Sequence, residues 1–222
     1  RGATRLGDVR ARDSATEESR GKTVKKALLL ISLTMLIFST GCSQMQSAAQ
    51  VGDSVISLKE LQSSVDSILA ERTKIDTSQM QLQQGEDLTR SQLNFFISNL
   101  IIESIATDEK ITVSKADTEA YLTQIYANIG GQNQLPPVLV NAGIAPSNLD
   151  SVLRRDLILQ KLTDAAKASG ADDAAATTKI QILIKSKANS LKITVNPRYG
   201  KWDGDQLSVV PSEPAGSAVT TK

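Results

Sequence analysis

The single cysteine of the chain, Cys42, is the residue type with the widest chemical reach. A cysteine thiolate can act as a nucleophile, as a metal ligand or as an attachment point for another group. Cys42 follows Gly41 and comes shortly after a mainly apolar run at 27–38, which is preceded by Lys25 and Lys26. A basic start, a short apolar run and small residues before a cleavage point are the parts of an export signal. Because a membrane-spanning helix needs about 20 apolar residues, the length favours a cleaved signal over a permanent anchor.

The residues before Cys42 resemble the end of a bacterial lipoprotein signal peptide. This resemblance implies cleavage between Gly41 and Cys42 and attachment of acyl chains to the Cys42 thiol. The protein would then be lipid-anchored at the extracytoplasmic face of the cell membrane. One acyl chain binds a membrane only marginally, so stable anchoring needs the several chains typical of lipoproteins. An uncleaved anchor and a plain secretory signal are the alternatives.

The absence of histidine from the sequence excludes several kinds of catalytic and metal site. Ser-His-Asp sites, Cys-His sites and His-based zinc sites all need an imidazole. The sequence has no glycine-rich phosphate-binding motif, and we expect neither a metal nor a cofactor. Residues 1–41 hold eight of the 25 basic and four of the 24 acidic residues, which leaves 42–222 with a net charge of −3 and no basic patch. Nucleic acid is therefore not an expected partner.

The elements that would position a site are mainly helical. Val51–Ile56 predicts a tight hairpin with Gly52 and Asp53 as its turn, and the alternation in Leu191–Val195 predicts a strand. Between them, apolar residues recur at the spacing of amphipathic helices. The predicted helices cover about 57–72, 89–107, 114–128, 147–166 and a last segment that ends near 188, with 169–177 as its linker or first turn. Residues 135–143 are predicted to form a short helix or a turn. Since each terminal strand is too short to be stable alone, we expect the two to pair and close the domain.

Five parts make up the expected domain organisation. Residues 1–23 are either an extension from a mis-assigned start or a disordered tail, and 24–41 form the signal peptide. A tether at 42–48 leads to a helical domain at 49–205. Residues 206–222 are rich in Ser, Pro and Thr and are expected to be disordered, so truncation after Asp205 should cost almost no stability.

Three segments in this order resemble the N-terminal domain of SurA and the related chaperone modules of PrsA-type lipoproteins and trigger factor. Ala49–Leu61 is similar to the family's opening strand, glycine turn and acidic helix start. Ile111–Asp117 is similar to its connector between helices, and Val195–Asp203 is similar to the closing motif of one lipoprotein branch. The resemblance implies a mainly α, SurA-N-like domain of five or six helices, closed by a small β element that pairs the N- and C-terminal strands.

The resemblance also implies a function without catalysis. SurA and PrsA carry parvulin-type prolyl isomerase domains, but this sequence has no segment of that size beyond the helical domain and no histidine. The expected protein is therefore not an enzyme. It is an ATP-independent, chaperone-like lipoprotein that binds unfolded or extended segments of exported proteins. The alternative is a structural or adaptor lipoprotein that holds one folded envelope partner.

Aromatic residues are the candidates for contact with a peptide. Their helical spacing favours packing in the core, but they could also line a groove; they are Phe95, Phe96, Tyr121 and Tyr126. Tyr199 and Trp202 follow the last strand, where an aromatic pair more often pins the strand to the domain than contacts a client. Two charged groups have structural interpretations. Arg154–Asp156 is interpreted as a solvated helix face, and Asp172-Asp173 as a helix cap rather than a cation site.

Overall fold

Six α-helices and two small antiparallel sheets form the part of the chain that the computed structural model describes, residues 47–212 together with Gly2. Gln46–Lys222 is a compact unit of its own. The elements are β1 (Ser47–Val51), β2 (Ser54–Ser57), α1 (Leu58–Arg72), α2 (Gly85–Asp108), α3 (Lys115–Ile129), α4 (Leu135–Ala142), α5 (Leu149–Ala168), α6 (Asp173–Ser190), β3 (Ile193–Val195), β4 (Lys201–Asp203) and β5 (Ser208–Val210). Short 3₁₀ turns at Gln132–Gln134 and Pro146–Asn148 precede α4 and α5. The predicted mainly α class is confirmed.

The N- and C-terminal strands pair with each other, as predicted. The first sheet has the order β2-β1-β3 with antiparallel neighbours, and Ala49 of β1 lies opposite Val195 of β3. Asn196 extends this pairing, since its backbone N–H donates to the Ala48 carbonyl over 2.9 Å. Gly52 begins the β1–β2 turn with a φ of 56°, a conformation that glycine adopts without steric cost. The ends of the domain are therefore joined by backbone hydrogen bonds.

Helix α2 is the central element, as its apolar sequence predicts. Leu93, Ile97, Ile101 and Ile105 recur every four residues along one face and are almost completely buried. Helices α1, α5 and α6 and strands β1 and β5 all contact α2. The helix begins at Gly85, four residues before the predicted start, and the side chain of Gln84 makes no capping hydrogen bond. A polar first turn without a cap gives no periodic signal in the sequence.

Side-chain caps fix three helix starts that the sequence predicts. The Ser57 hydroxyl accepts from the Glu60 N–H before α1, and Ser114 and Asp117 form a reciprocal capping box before α3. The Asp172 carboxylate accepts from the Ala175 N–H over 2.7 Å before α6. Each bond satisfies a backbone donor that the first helical turn leaves unpaired. Asp172 is therefore a helix cap, as predicted from the sequence.

The interpretation of Arg154 as part of a solvated helix face is wrong. Its guanidinium holds both carboxylate oxygens of Glu103, at 2.5 and 3.0 Å, and donates to the Val113 carbonyl over 2.9 Å. Lys161, two turns further along α5, donates to the Thr112 carbonyl and to Asp117. These two cations fasten the connector between α2 and α3 to α5. The sequence did not show this, because the partners lie 41 to 51 residues from Arg154.

The predicted boundaries of the domain also need correction. Ser47 and Ala48 belong to β1 rather than to a tether, and β5 lies within the residues predicted to be disordered. Val209 of β5 is only 3% exposed and belongs to the main core. Its N–H donates to the Asn94 side chain of α2 over 2.5 Å. Composition misled the prediction because one buried valine in a three-residue strand is a weaker signal than the surrounding Ser and Pro.

Candidate functional site

A cleft of about 380 Å³ lies between α1, the first turns of α2 and the connection between β3 and β4. We call it the main cleft. Its floor includes Val65 and Leu88, which belong with Ile68 and Ala145 to a small core cluster separate from the main one. The complete lining is Gln62, Val65, Leu69, Gly85, Glu86, Leu88, Thr89, Arg90, Arg198 and Tyr199. Because the floor is also a packed core, the cleft is held by the fold and not by loops alone.

Helix α1 presents one face to the main cleft. Gln62, Val65 and Leu69 follow each other at intervals of three and four residues, the spacing that aligns side chains on a helix. Leu69 is 45% exposed and lines the main cleft. Its exposed surface is therefore available to an apolar group that enters the cleft.

The opposite wall comes from the connection between β3 and β4 and is fastened to α2. Tyr199 packs against the main core, and its carbonyl accepts from Arg90 Nε over 3.4 Å. Arg90 also pairs with Asp87 at 2.7 Å, so its charge is largely compensated. The Arg198 guanidinium lies 5.9 Å from the centre of the Tyr199 ring, within cation–π range. The wall therefore carries an aromatic ring and a cation side by side.

The chain between α1 and α2 is pinned at its far end by Arg72. Its Nη1 donates to the Gln83 carbonyl over 2.7 Å. Partial burial lowers the pKa of Arg72, although not enough to remove its charge at neutral pH. This bond fixes the approach of the chain to Gly85, where the lining of the main cleft resumes.

A second, smaller cleft of about 190 Å³ lies between α2, the end of α4 and the start of α5. Phe95 lines it, with the Arg155 guanidinium 5.6 Å from the ring centre. A buried polar network lies beside it. In this network Ser64 donates to Gln92, Gln92 donates to the Gly143 carbonyl, and the Asn148 amide donates to Ser64. These bonds join α1, α2, α4 and the turn before α5, so we assign this group to the framework of the fold.

The structure separates the four aromatic residues that the sequence offered as a groove. Phe95 and Phe96 are in edge contact, with ring centres 5.4 Å apart, and Phe96 packs against the main core while Phe95 lines the second cleft. Tyr121 and Tyr126 lie half-buried on α3 and line neither cleft. The predicted contact of these residues with a peptide stays untested.

The other predicted site residues lie partly outside the described chain. Tyr199 and Trp202 both pack against the main core, and Tyr199 also lines the main cleft. Gly41 and Cys42 fall outside the described residues. Sequence reasoning missed Leu69, Arg90 and Arg198 as cleft residues. Leu69 had a weak signal as part of the apolar stripe of α1, whereas only the fold brings Arg90 and Arg198 to the same cleft.

The charged side chains in the lining of the main cleft are Glu86, Arg90 and Arg198. The carboxylates with the clearest lowering of pKa are Asp76, Asp117, Asp173 and Asp205, held by hydrogen bonds or by lysine partners, and none of them lines either cleft. Within the described residues, no group of three acidic or sulfur ligands could hold a metal ion. None of the helices in this part of the chain is long and apolar enough to cross a membrane.

The comparison with protein families adds what the geometry alone does not give. The model of the SurA-like N-terminal domain matches residues 14–163. The chain belongs to this family. SurA-like N-terminal domains are non-catalytic chaperone-type modules that bind extended polypeptides in general. Searches of curated proteins and of solved structures gave no match. The family match ends within α5, so α6, the last three strands and the wall formed by Arg198 and Tyr199 lie beyond it.

Proposed function

We propose that this SurA-like protein is a lipid-anchored, extracytoplasmic chaperone-like protein that binds unfolded or extended segments of exported proteins without ATP. The main cleft is the observation that carries the proposal. It offers the partly exposed Leu69 and the Tyr199 ring between polar rims, in a family whose modules bind extended chains. Its volume falls at the lower end of the range of about 300–1,000 Å³ for ligand sites, which suits side chains of a segment rather than a large ligand.

Burial of apolar surface is the driving force in this proposal. Covering apolar surface contributes about 25 cal/mol for each Å², whatever the identity of the apolar residue that covers it. Leu69, which is partly exposed, offers such surface without a hydrogen-bond pattern that would demand one sequence. Binding should therefore be weak and tolerant of sequence, as a protein that meets many unfolded clients requires.

The lipid anchor rests on the sequence around Cys42. The apolar run at 27–38 and the Thr-Gly-Cys that ends at Cys42 support cleavage and acylation. Acyl chains on Cys42 would hold the binding domain close to the membrane, where exported chains emerge in an unfolded state. The membrane contact in this proposal comes from the acyl chains and not from the helical domain.

Suppression of aggregation tests the proposed function against that of an adaptor. Residues 46–222, which form a unit of their own, are mixed with several unrelated proteins diluted from denaturant, and light scattering is followed without nucleotide. We expect scattering to fall for every client as the SurA-like protein approaches equal concentration, while an inert protein of similar size has no effect. Scattering that is unchanged for all clients, together with capture of one folded partner at a fixed ratio, would support the adaptor instead.

A further inference from the structure

One wall of the main cleft lies outside the part of the chain that the family model matches. The family match ends at residue 163, whereas Arg198 and Tyr199 lie in the connection between β3 and β4. This connection is held firmly at both ends. Asn196 is bonded to the backbone of β1, and the Tyr199 carbonyl is bonded to Arg90 of α2. The wall is thus fixed to β1 and α2, and it makes the surface of α1 and α2 into a cleft.

Arg198 gives this wall a positive charge without an acidic partner in the described residues. Within residues 47–212, no ion pair joins Arg198 to an Asp or Glu side chain. Arg90, the other cation of the lining, differs because Asp87 at 2.7 Å and Glu86 at 3.7 Å compensate it. Contact with the Tyr199 ring orients the Arg198 guanidinium but supplies no negative charge. The cleft therefore presents apolar surface and, in the same lining, the cation of Arg198, which has no acidic partner within residues 47–212.

We propose, building on the proposed function, that the main cleft selects extended segments in which Asp or Glu lies within two positions of a large apolar residue. The apolar side chain covers the exposed part of Leu69, and the carboxylate pairs with Arg198. In an extended chain, side chains two positions apart project to the same side, whereas adjacent side chains diverge. With either spacing, the apolar side chain can enter the main cleft while the carboxylate reaches Arg198 at its wall. A planar guanidinium is suited to hold a carboxylate through two parallel hydrogen bonds.

Three labelled peptides that differ at one position test this selectivity. Each is a short, unstructured segment with one central leucine, followed two positions later by Asp, Asn or Lys. Their affinities for residues 46–222 are measured by fluorescence anisotropy. We expect the Asp peptide to bind about fivefold more tightly than the Asn peptide, a ratio that corresponds to the upper end of the free energy contributed by an exposed ion pair. The Lys peptide should bind most weakly. The preference should shrink at 0.5 M salt, because exposed charges are screened.

Two charge-neutralising variants locate the source of the preference. Arg198→Gln should bind the Asp and Asn peptides equally, while its affinity for the Asn peptide stays within about twofold of the wild type. Lys201→Gln removes a charge from the exposed Lys201 of β4, outside the cleft lining, and should keep the full preference. Loss of the preference in both variants would assign it to general charge attraction and overturn the role of Arg198.

The remaining outcomes separate failure of this inference from failure of the proposed function. Equal binding of all three peptides by the wild type overturns the selectivity but leaves polypeptide binding intact. No binding of any peptide overturns both. If deletion of 213–222 creates a preference that the longer chain lacks, Glu213 already serves as the partner of Arg198, and the assignment of a client carboxylate is wrong.

Discussion

The proposed acylation of Cys42 is open to a test by a single substitution. We predict that Cys42→Ser leaves the precursor uncleaved or releases the protein into the medium, because serine has no thiol for acylation. Membrane fractionation and the mass of the processed chain measure this outcome. Normal processing together with unchanged membrane association of the variant would contradict lipidation at Cys42.

Asp117 is a carboxylate through which the stability of the fold should depend on pH. The backbone N–H of Ser114 and the ammonium of Lys161 lower the pKa of this carboxyl below its usual value. A lowered folded-state pKa stabilises the fold above the unfolded-state pKa of about 4, and the gain is lost as pH falls through the folded value. We predict that Asp117→Asn lowers the melting temperature at pH 7 and that its difference from the wild type shrinks as the pH falls below about 4.

Glu119→Gln is the matched control for this prediction. Glu119 lies on the same helix and pairs with Lys115, but both side chains are well exposed. An exposed pair of this kind contributes little to stability, so the melting curve should barely change at any pH. A difference between Asp117→Asn and the wild type that stays constant from pH 7 to pH 2 would rule out the carboxylate as its cause.

Single residues also show where sequence reasoning ends. The capping role of Ser114 and Asp117 was predictable, because both bonds form within four residues of chain. The clamp between Arg154 and Glu103 and the presence of Arg198 and Leu69 in one cleft were not predictable. In each case the tertiary fold brings together residues that are far apart in the chain, and no local periodicity records this.

At the scale of elements, the stability of the domain should depend on the C-terminal strands β3 to β5. We predict that deletion of 189–222 lowers the free energy of unfolding by several kcal/mol, because it removes the partner of β1 and the packing of Tyr199 and Trp202. Thermal and denaturant melting measure this loss. A deletion variant that melts within about two degrees of the parent would contradict the closure of the domain by its ends.

The position of the C-terminal cut distinguishes the structure from the sequence-based expectation. Deletion after Asp205 was expected to cost almost nothing, but it removes β5 and exposes the site that Val209 fills. We now predict a loss of about 2 kcal/mol or more. Deletion after Ser212 is the control, since it leaves every described element in place. Equal melting of both deletion variants would contradict the role of β5.

The elements divide clearly into those that the sequence predicts and those that it does not. The β1–β2 hairpin and α1 follow from a glycine turn, a serine cap and a regular apolar stripe. Strands β4 and β5 have three residues each, too few for a periodic pattern. They depend on Gly200, whose φ is 129° and where a Cβ atom would come within 2.2 Å of the Val210 carbonyl oxygen. The sequence shows Gly200 but does not show that the backbone of Val210 lies close to it.

At the scale of the whole molecule, membership of a non-catalytic chaperone-type family predicts binding without isomerisation. Residues 46–222 contain no histidine, and no carboxylate with a lowered pKa lines a described cleft. We predict that this unit leaves the rate of prolyl isomerisation in a standard peptide at its uncatalysed value. Saturable acceleration that disappears when the protein is denatured would contradict this prediction.

Whether the main cleft binds unfolded polypeptide is tested most directly by two isomeric substitutions. Leu69→Asp places a charge in the cleft, and Ile182→Asp makes the same change in atoms on α6, where Ile182 is 64% exposed and outside both clefts. Binding of a labelled, permanently unfolded polypeptide is measured for both variants after circular dichroism confirms that they fold. We predict an affinity at least about tenfold lower for Leu69→Asp, because apolar burial is replaced by a desolvated carboxylate, and within about twofold of wild type for Ile182→Asp. Equal affinities for the wild type and both variants would contradict the assignment of the main cleft as the polypeptide-binding site.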